Sequence, residues 1–327
     1  MAFKVLAIDG GGIRGIIPAL VLEAIEDVTK RPISASFDLI SGTSTGGIIA
    51  LGLTKPDSQG NAEKSARDIV RLYEEEGDAI FPRTFLQGLH VGAIRGAKYN
   101  ANGIDDTLDK YFGETRLKDA LKPVLVPTYD IEKQTPIFFK SAKAQNDPEY
   151  DFAMRDVARA TSAAPTYFPP KKIPTDNPLD YYALVDGGVV AGNPALCAYA
   201  EAVRTLQEAG GDPNQITVVS LGTGELRNPL KFDKASNWGQ LEWAQPIIDI
   251  VLQGSNDTVN YQLQQILQTA GSARSYFRFQ IELSKGIGDM DDATSANLKH
   301  LLDITQDYLG KPDTRENLSQ LCEHLAG

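Results

Sequence analysis

Cysteine, histidine, tryptophan and methionine are scarce in this 327-residue chain, which holds two, three, two and three of them. Cys197 and Cys322 each fall inside a helical, partly apolar pattern, which argues against a disulfide framework or a thiolate metal site. His90, His300 and His324 lie far apart and none has ligand spacing, so no metal site is readable and none is expected. No run of eighteen or more apolar residues occurs, which excludes a membrane-spanning helix. Met1-Ala2 leads straight into a strand-like segment with no room for a cleavable leader, so the expected location is cytoplasmic. Positive charge is also short: 32 Lys and Arg stand against 43 Asp and Glu, a net charge of −11. Such a surface repels nucleic acid and anionic lipid, and leaves neutral or zwitterionic partners open.

What is present is ordinary globular material, 42% hydrophobic and 23% charged, long enough to bury a large core. Phe3 to Ile8 reads as a buried strand, stopped by Asp9-Gly10-Gly11-Gly12. Ile17, Leu20, Val21, Ala24, Ile25 and Val28 then recur at helical spacing, with Pro18 in the first turn. A second strand, Phe37 to Ile40, ends at Ser41-Gly42, and an apolar helix through Ile48, Ile49 and Leu51 begins past Ser44. Strand, glycine turn and helix, twice over, is the grammar of a parallel α/β sheet. Residues 55–61 read as a loop and Ala62 to about Gly77 as a surface helix. Further strands are expected from Val124 to Tyr129, Pro136 to Phe139, Tyr181 to Val185, Ile216 to Leu221 and Tyr276 to Leu283. One helix ends near Ala163; another opens at Asn193-Pro194, cap and first helical position, and runs to Gly210-Gly211. With no repeat, low-complexity tract or linker, one α/β domain is expected, residues 1–225 as core and 226–327 as a mostly helical cover.

Three short motifs carry chemistry, each after a strand, at the edge where open α/β sheets bind ligands. Gly42-Thr43-Ser44-Thr45-Gly46 is a G-x-S-x-G sequence. In such an elbow the serine sits on a strained strand-to-helix turn, and the flanking glycines let strand and helix approach without Cβ clashes. The turn also places Ser44 at a helix N-terminus, where the dipole favours negative charge. The plain alternative is an ordinary Gly/Ser/Thr turn; the apolar strand before it and the apolar helix after it favour the elbow.

Gly10-Gly11-Gly12-Ile13-Arg14-Gly15 fits G-x-G-x-x-G after a first strand, so a dinucleotide site is its rival reading. Two features oppose a nucleotide. Asp9 sets a negative charge beside the expected pyrophosphate, and no acidic residue closes a second strand about twenty residues on, since Asp38 opens its strand. The other use is an oxyanion hole, in which consecutive glycine N–H groups converge on one developing charge and Arg14 adds a cation. Arg14 could equally be a surface arginine of a first helical turn.

A serine nucleophile needs a proton acceptor. In the order Ser…Asp…His the histidine would be His300 or His324, and both sit on amphipathic helical patterns near the C-terminus. His90 precedes Asp186 and lies in a glycine-rich loop. That leaves an aspartate acting directly. Asp186 ends a strand, precedes Gly187-Gly188, and can turn its carboxylate toward Ser44; burial there would raise its pKa and make it a better base. Taken alone it is an aspartate in a turn.

In combination and in order, Asp9 to Gly15, Gly42 to Gly46 and Asp186 to Gly188 resemble the oxyanion loop, nucleophile elbow and catalytic Asp-Gly turn of the patatin-like phospholipases. The resemblance extends to residues 160–170 (ATSAAPTYFPP), Ser220-Leu221-Gly222-Thr223-Gly224, Asp68-Ile69-Val70 and Ile80-Phe81-Pro82, covering roughly the first 225 residues. One departure is Gly192-Asn193-Pro194, where many members read Asn-Asn-Pro. The resemblance implies a three-layer α/β/α fold with a mostly parallel central sheet. It implies a Ser44–Asp186 dyad that cleaves acyl esters of phospholipids or other polar lipids, with no metal and no other cofactor. Carried over by position, Gly10, Gly11 and Gly12 with Arg14 would form the oxyanion hole, and Gly15, Gly42, Gly46, Gly187 and Gly188 would shape the turns. The implied partners are a phospholipid or other polar acyl lipid and, transiently, a lipid surface; oligomeric state stays open. Trp238, Trp243, Ile247, Ile248, Val251 and Leu252 would line the acyl groove, dock on lipid, or simply pack as helix. A latent or signal-activated lipase with a storage or defence role is the second reading, and a nucleotide-binding enzyme the third.

Overall fold

Strand β1 (Phe3–Ile8) alternates its side chains, and the alternation divides the core in two. Leu6 and Ile8 enter one buried cluster, Val5 and Ala7 another, as a strand covered on both faces requires. The same division runs through β2 (Leu39–Gly42), β3 (Val124–Asp130) and, later in the chain, β7 (Ile216–Leu221) and β9 (Tyr276–Phe279). The result is a three-layer α/β/α fold. The computed structural model describes residues 2–80, 99, 101–177, 179–226, 229–239, 242–243, 246–267, 275–283 and 290–326. Phe81, Pro82 and His90 lie outside the described residues, as do the side chains of Ile247, Ile248 and Leu252.

The first helices are α1 (Ile16–Thr29), α2 (Ile33–Ser36), α3 (Thr45–Thr54), α4 (Ala66–Ile80) and α5 (Asn102–Phe112). After them come α6 (Ser141–Ala144), α7 (Met154–Thr161), α8 (Gly188–Ala191) and α9 (Ala195–Glu208). The C-terminal part holds α10 (Phe232–Ala235), α11 (Pro246–Leu267), α12 (Ser295–Gly310) and α13 (Pro312–Ala326). Residues of α1, α3, α4, α5, α7, α12 and α13 build the larger cluster on one sheet face. Ala195, Ala198 and Ala202 of α9 join Leu263 and Leu267 of α11 on the other, and alanines at this spacing let α9 lie close to the sheet.

The sheet also includes β4 (Thr135–Lys140), β5 (Lys171–Pro174) and β6 (Tyr181–Asp186). Its path runs β5-β6-β3-β2-β1-β7-β9, with β4 pairing β3 as well. β1, β2, β3, β7 and β9 are mutually parallel, whereas β6 runs antiparallel to β3. A strand has two edges, and β4 occupies one edge of β3 from Leu125 to Asp130. Both β2, paired at Val124 and Leu125, and β6, paired from Thr128 to Asp130, must therefore share the other. They approach from opposite directions and stop two residues apart. Pro127 lies in the gap, where its missing N–H leaves no donor unpaired.

The helix expected to open at Asn193-Pro194 starts one residue later: Pro194 is the cap position of α9, and Asn193 before it accepts the Ala195 N–H on Oδ1 at 3.0 Å. Elsewhere the boundaries move for local reasons. The helix expected from Ala62 starts at Ala66, because Ser65 and Asp68 exchange side-chain and backbone hydrogen bonds in a capping box and Glu26 takes the Ala66 N–H. The strand expected from Tyr276 to Leu283 divides into β9 and β10 (Glu282–Leu283), the second pairing with β8 (Glu225–Leu226). Gln280 makes the break: its side chain accepts the Gly224 N–H at 3.0 Å, which draws it across Gly222. No helix among the described residues is long and apolar enough to cross a membrane.

Candidate active site

From Leu39 to Thr54 every residue is buried except Ser44, which is half-exposed. The elbow lifts this one side chain out of the core. Ser44 precedes α3 with φ 55° and ψ −124°, a conformation costing a non-glycine residue on the order of 1–3 kcal/mol. The surrounding contacts hold it there. A side chain at Gly42 would collide with the Gly46 carbonyl, and one at Gly46 with the Ile8 carbonyl, so both glycines are demanded by β2, α3 and β1 crossing at close range. Gly15 leaves room for the hydrogen bond between the Thr45 and Tyr73 hydroxyls beneath the helix.

Asp186, the last residue of β6, sets its carboxyl against the Ser44 side chain. Sequence reasoning placed this turn at the carboxyl edge of a parallel sheet. The structure corrects the route: β6 is antiparallel, and Asp186 meets the elbow because β6 and β2 end head to head on β3. Gly187 permits the turn, since a Cβ there would strike the Pro127 carbonyl. The Gly188 N–H donates to Asp186 Oδ1 at 2.7 Å. Burial pushes the carboxyl up to about 6, against the Ser44 and Gly188 hydrogen bonds that pull it down.

The glycine loop packs directly on the elbow: a Cβ at Gly10 would lie 3.3 Å from Ser44 Cβ. Its peptides are held by their carbonyls. Thr223 Oγ1 donates to the Gly10 carbonyl at 2.7 Å, and Arg14 Nε donates to the Gly11 carbonyl at 3.4 Å. In a trans peptide the next N–H points the opposite way, so these two bonds turn the Gly11 and Gly12 N–H groups away from their anchors. Among the described residues neither N–H has a hydrogen-bond acceptor. Gly10 differs, because its own N–H donates to the Gly192 carbonyl at 2.9 Å. The expectation that Gly10 contributes an oxyanion donor is corrected accordingly. Gly10 is a clamp point.

Asp9 also has a different part from the one expected. Its carboxylate is buried and paired with Arg278 of β9 at 2.6 Å, while Arg278 also donates to Ser220 at 2.7 Å. The charge is neutralised inside the sheet, so it is not a repulsive group facing a ligand. A nucleotide is disfavoured by sterics instead: Gly12, at φ 58°, packs against the Met290 carbonyl, and Met290 also takes the Ile13 N–H at 2.9 Å. A carbonyl oxygen thus covers the loop where a pyrophosphate would need amides.

His324 accepts or donates at 2.6 Å with Thr217, which pairs with Lys4 near the start of β1 and β7. That is four strand residues from the elbow's edge, on the order of 13 Å. His300 is exposed on α12. Trp238 and Trp243 pack edge to face at 5.1 Å, and Val251 is exposed on α11. Val189 and Val190, which the motif reading passed over, are exposed apolar residues on α8 directly after the Asp186 turn. Among the described residues no group of three or more His, Cys, Asp or Glu side chains is placed to hold a metal ion.

A serine hydroxyl set against a buried carboxyl, beside two amides with no acceptor among the described residues, is equipped for attack on a carbonyl carbon. A family model described as patatin-like phospholipase matches residues 6–199. Patatin-like protein 3 of Arabidopsis thaliana is 33% identical over 353 residues, covering 96% of this chain and 82% of that protein. Patatin-like protein 2 of the same plant is 34% identical, with 98% and 86% covered. Patatin-04/09 of Solanum tuberosum is 34% identical over 335 residues, with 96% and 85% covered.

Proposed function

Because the chain belongs to the patatin-like phospholipase family and is a lipid acyl hydrolase, we propose that it works through a Ser44–Asp186 dyad and an acyl-enzyme. The observation that carries this reading is the placement of the buried Asp186 carboxyl against the strained, solvent-reached Ser44 of the elbow. Asp186 takes the hydroxyl proton as Ser44 Oγ attacks the ester carbonyl. The developing oxyanion lies against the Gly11 and Gly12 N–H groups. Collapse expels the alcohol, which receives the proton from Asp186. Water, deprotonated by the same carboxylate, then cleaves the acyl-enzyme and releases the fatty acid.

The substrate in this proposal is a phospholipid or other polar lipid with neutral or zwitterionic character, consistent with the net charge of −11. Val189 and Val190 supply apolar surface beside the base for an acyl chain. Residues 226–327 belong to the same folding unit in this reading, since Leu298, Leu301, Leu321 and Leu325 share the larger core cluster.

The deciding experiment is incubation with a fluorophosphonate probe, mapping of the labelled peptide, and hydrolysis of a short-chain p-nitrophenyl ester by the unaided protein. Label at Ser44 with turnover supports a constitutive serine hydrolase. Label without turnover favours a latent enzyme, and no label at Ser44 removes the dyad. For the oxyanion loop, Arg14→Ala is expected to lower kcat by on the order of 10²–10³ with a smaller change in KM, because the Gly11 peptide loses its carbonyl anchor. A change confined to KM would make Arg14 a substrate-binding residue.

A further inference from the structure

The gap on β3 between the facing ends of β2 and β6 is filled by the residues that end α7. Thr161 is wholly buried there. Its hydroxyl donates to the Pro127 carbonyl at 2.7 Å and accepts the Ser44 N–H at 2.9 Å. A hydroxyl has one proton, so the bond to Pro127 leaves a lone pair for Ser44, and both roles are fixed. Two residues on, the Ala163 carbonyl accepts the Asp186 N–H at 3.0 Å. Residues 161–163 thus replace the missing rung of the ladder, holding the nucleophile's backbone at one end and the base's at the other.

We propose that Thr161 is a positioning residue, whose hydroxyl fixes the elbow backbone against β3 so that Ser44 Oγ stays on the Asp186 carboxylate. The proposal rests on the dyad reading. Without the hydroxyl, the Ser44 N–H and the Pro127 carbonyl both lose a buried partner. The elbow then relaxes from its positive φ, and the side chain swings off the base. Thr161 is buried and spends its hydroxyl on backbone, so the loss falls on the chemical step and not on binding.

The test compares Thr161→Val, which keeps the shape and removes the hydroxyl, with Thr161→Ser, which keeps the hydroxyl. Rates are taken on a soluble p-nitrophenyl ester and divided by the sites titrated with fluorophosphonate, so that unfolded protein does not count. The valine variant is expected to lose roughly 10- to 100-fold in kcat with KM within about threefold. Its acid limb in kcat/KM should move to higher pH, because Asp186 loses the Ser44 hydrogen bond that opposes burial. The serine variant should stay within about threefold of wild type with an unmoved limb. A valine variant with wild-type kcat and acid limb overturns the proposal. So does a serine variant as impaired as the valine one, which would assign the effect to general packing at this position, where Thr161 lies against Gly47, and not to the hydroxyl. Should the valine variant give no titratable sites, Thr161→Ala is measured in its place and judged by the same outcomes. Ser44→Ala separates the two readings: activity retained there removes the dyad itself. An inactive Ser44→Ala beside an unimpaired Thr161→Val removes only the positioning role.

Discussion

Ser44→Ala leaves a folded protein whose kcat is lower by roughly 10⁴-fold or more. The fold survives because the elbow is held from its backbone, through the Ser44 N–H on Thr161 and the glycine crossings, none of which needs the hydroxyl. Alanine tolerates the φ of 55° about as poorly as serine does, so the strain is unchanged. What is lost is the elbow hydroxyl, the nucleophile set against the proposed base Asp186. The residue of activity that remains comes from the oxyanion amides and substrate binding, which act without an acyl-enzyme. The nearest rival is Ser162, whose buried Oγ has no hydrogen-bond partner among the described residues. It lies beside Thr161 but is almost fully covered, so a probe should reach it only if the elbow opens. Near-normal turnover by Ser44→Ala, or probe label on Ser162 in wild type, would sink the assignment.

The elbow turn and the Asp-Gly turn that meets it were legible for a local reason. Ser44 follows an apolar strand and precedes an apolar helix, and the glycines at 42 and 46 are required by contacts within the same turn. β1 announced its two-sided burial by the apolar run Val5-Leu6-Ala7-Ile8. The direction of β6 was not legible, because the alternation of side chains along a strand is the same whichever way its neighbour runs. Only the pairing of Thr128 with Asp186 reveals that two strand ends meet. Asp9 was misjudged for a similar reason, since the cation that neutralises it, Arg278, lies 269 residues away. Gly10 looked equivalent to Gly11 and Gly12 until the Gly192 carbonyl claimed its N–H. Thr161 and Thr223 were inside recognised motifs, yet their hydroxyls gained meaning only from the backbone groups that tertiary structure brought to them.

Asp186→Asn should be nearly inactive yet folded, while the triple variant His90→Gln, His300→Gln, His324→Gln keeps activity within about tenfold. The amide retains an oxygen for the Gly188 N–H but cannot accept the Ser44 proton, so the turn persists and the chemistry stops. The histidines predict otherwise for themselves. His324 spends its ring on Thr217 at the far edge of the sheet, where burial and Lys4 hold its pKa down. Losing that bond costs stability of order 1 kcal/mol, a melting-temperature effect with little bearing on kcat. His300 points to solvent from α12. A triad histidine would have to face the serine and donate its other nitrogen to a carboxylate, and Asp186 is already on Ser44 itself. The pH profile gives an independent check. Asp186 works as a base only when ionised, and its pKa is raised to about 6, so kcat/KM is present above that value and lost as pH falls through it. In the triple variant this acid limb should stay where it is in wild type, since the group that titrates has not been touched. A dead triple variant with a native circular-dichroism spectrum, beside an active Asp186→Asn, would return the protein to the Ser-His-Asp class.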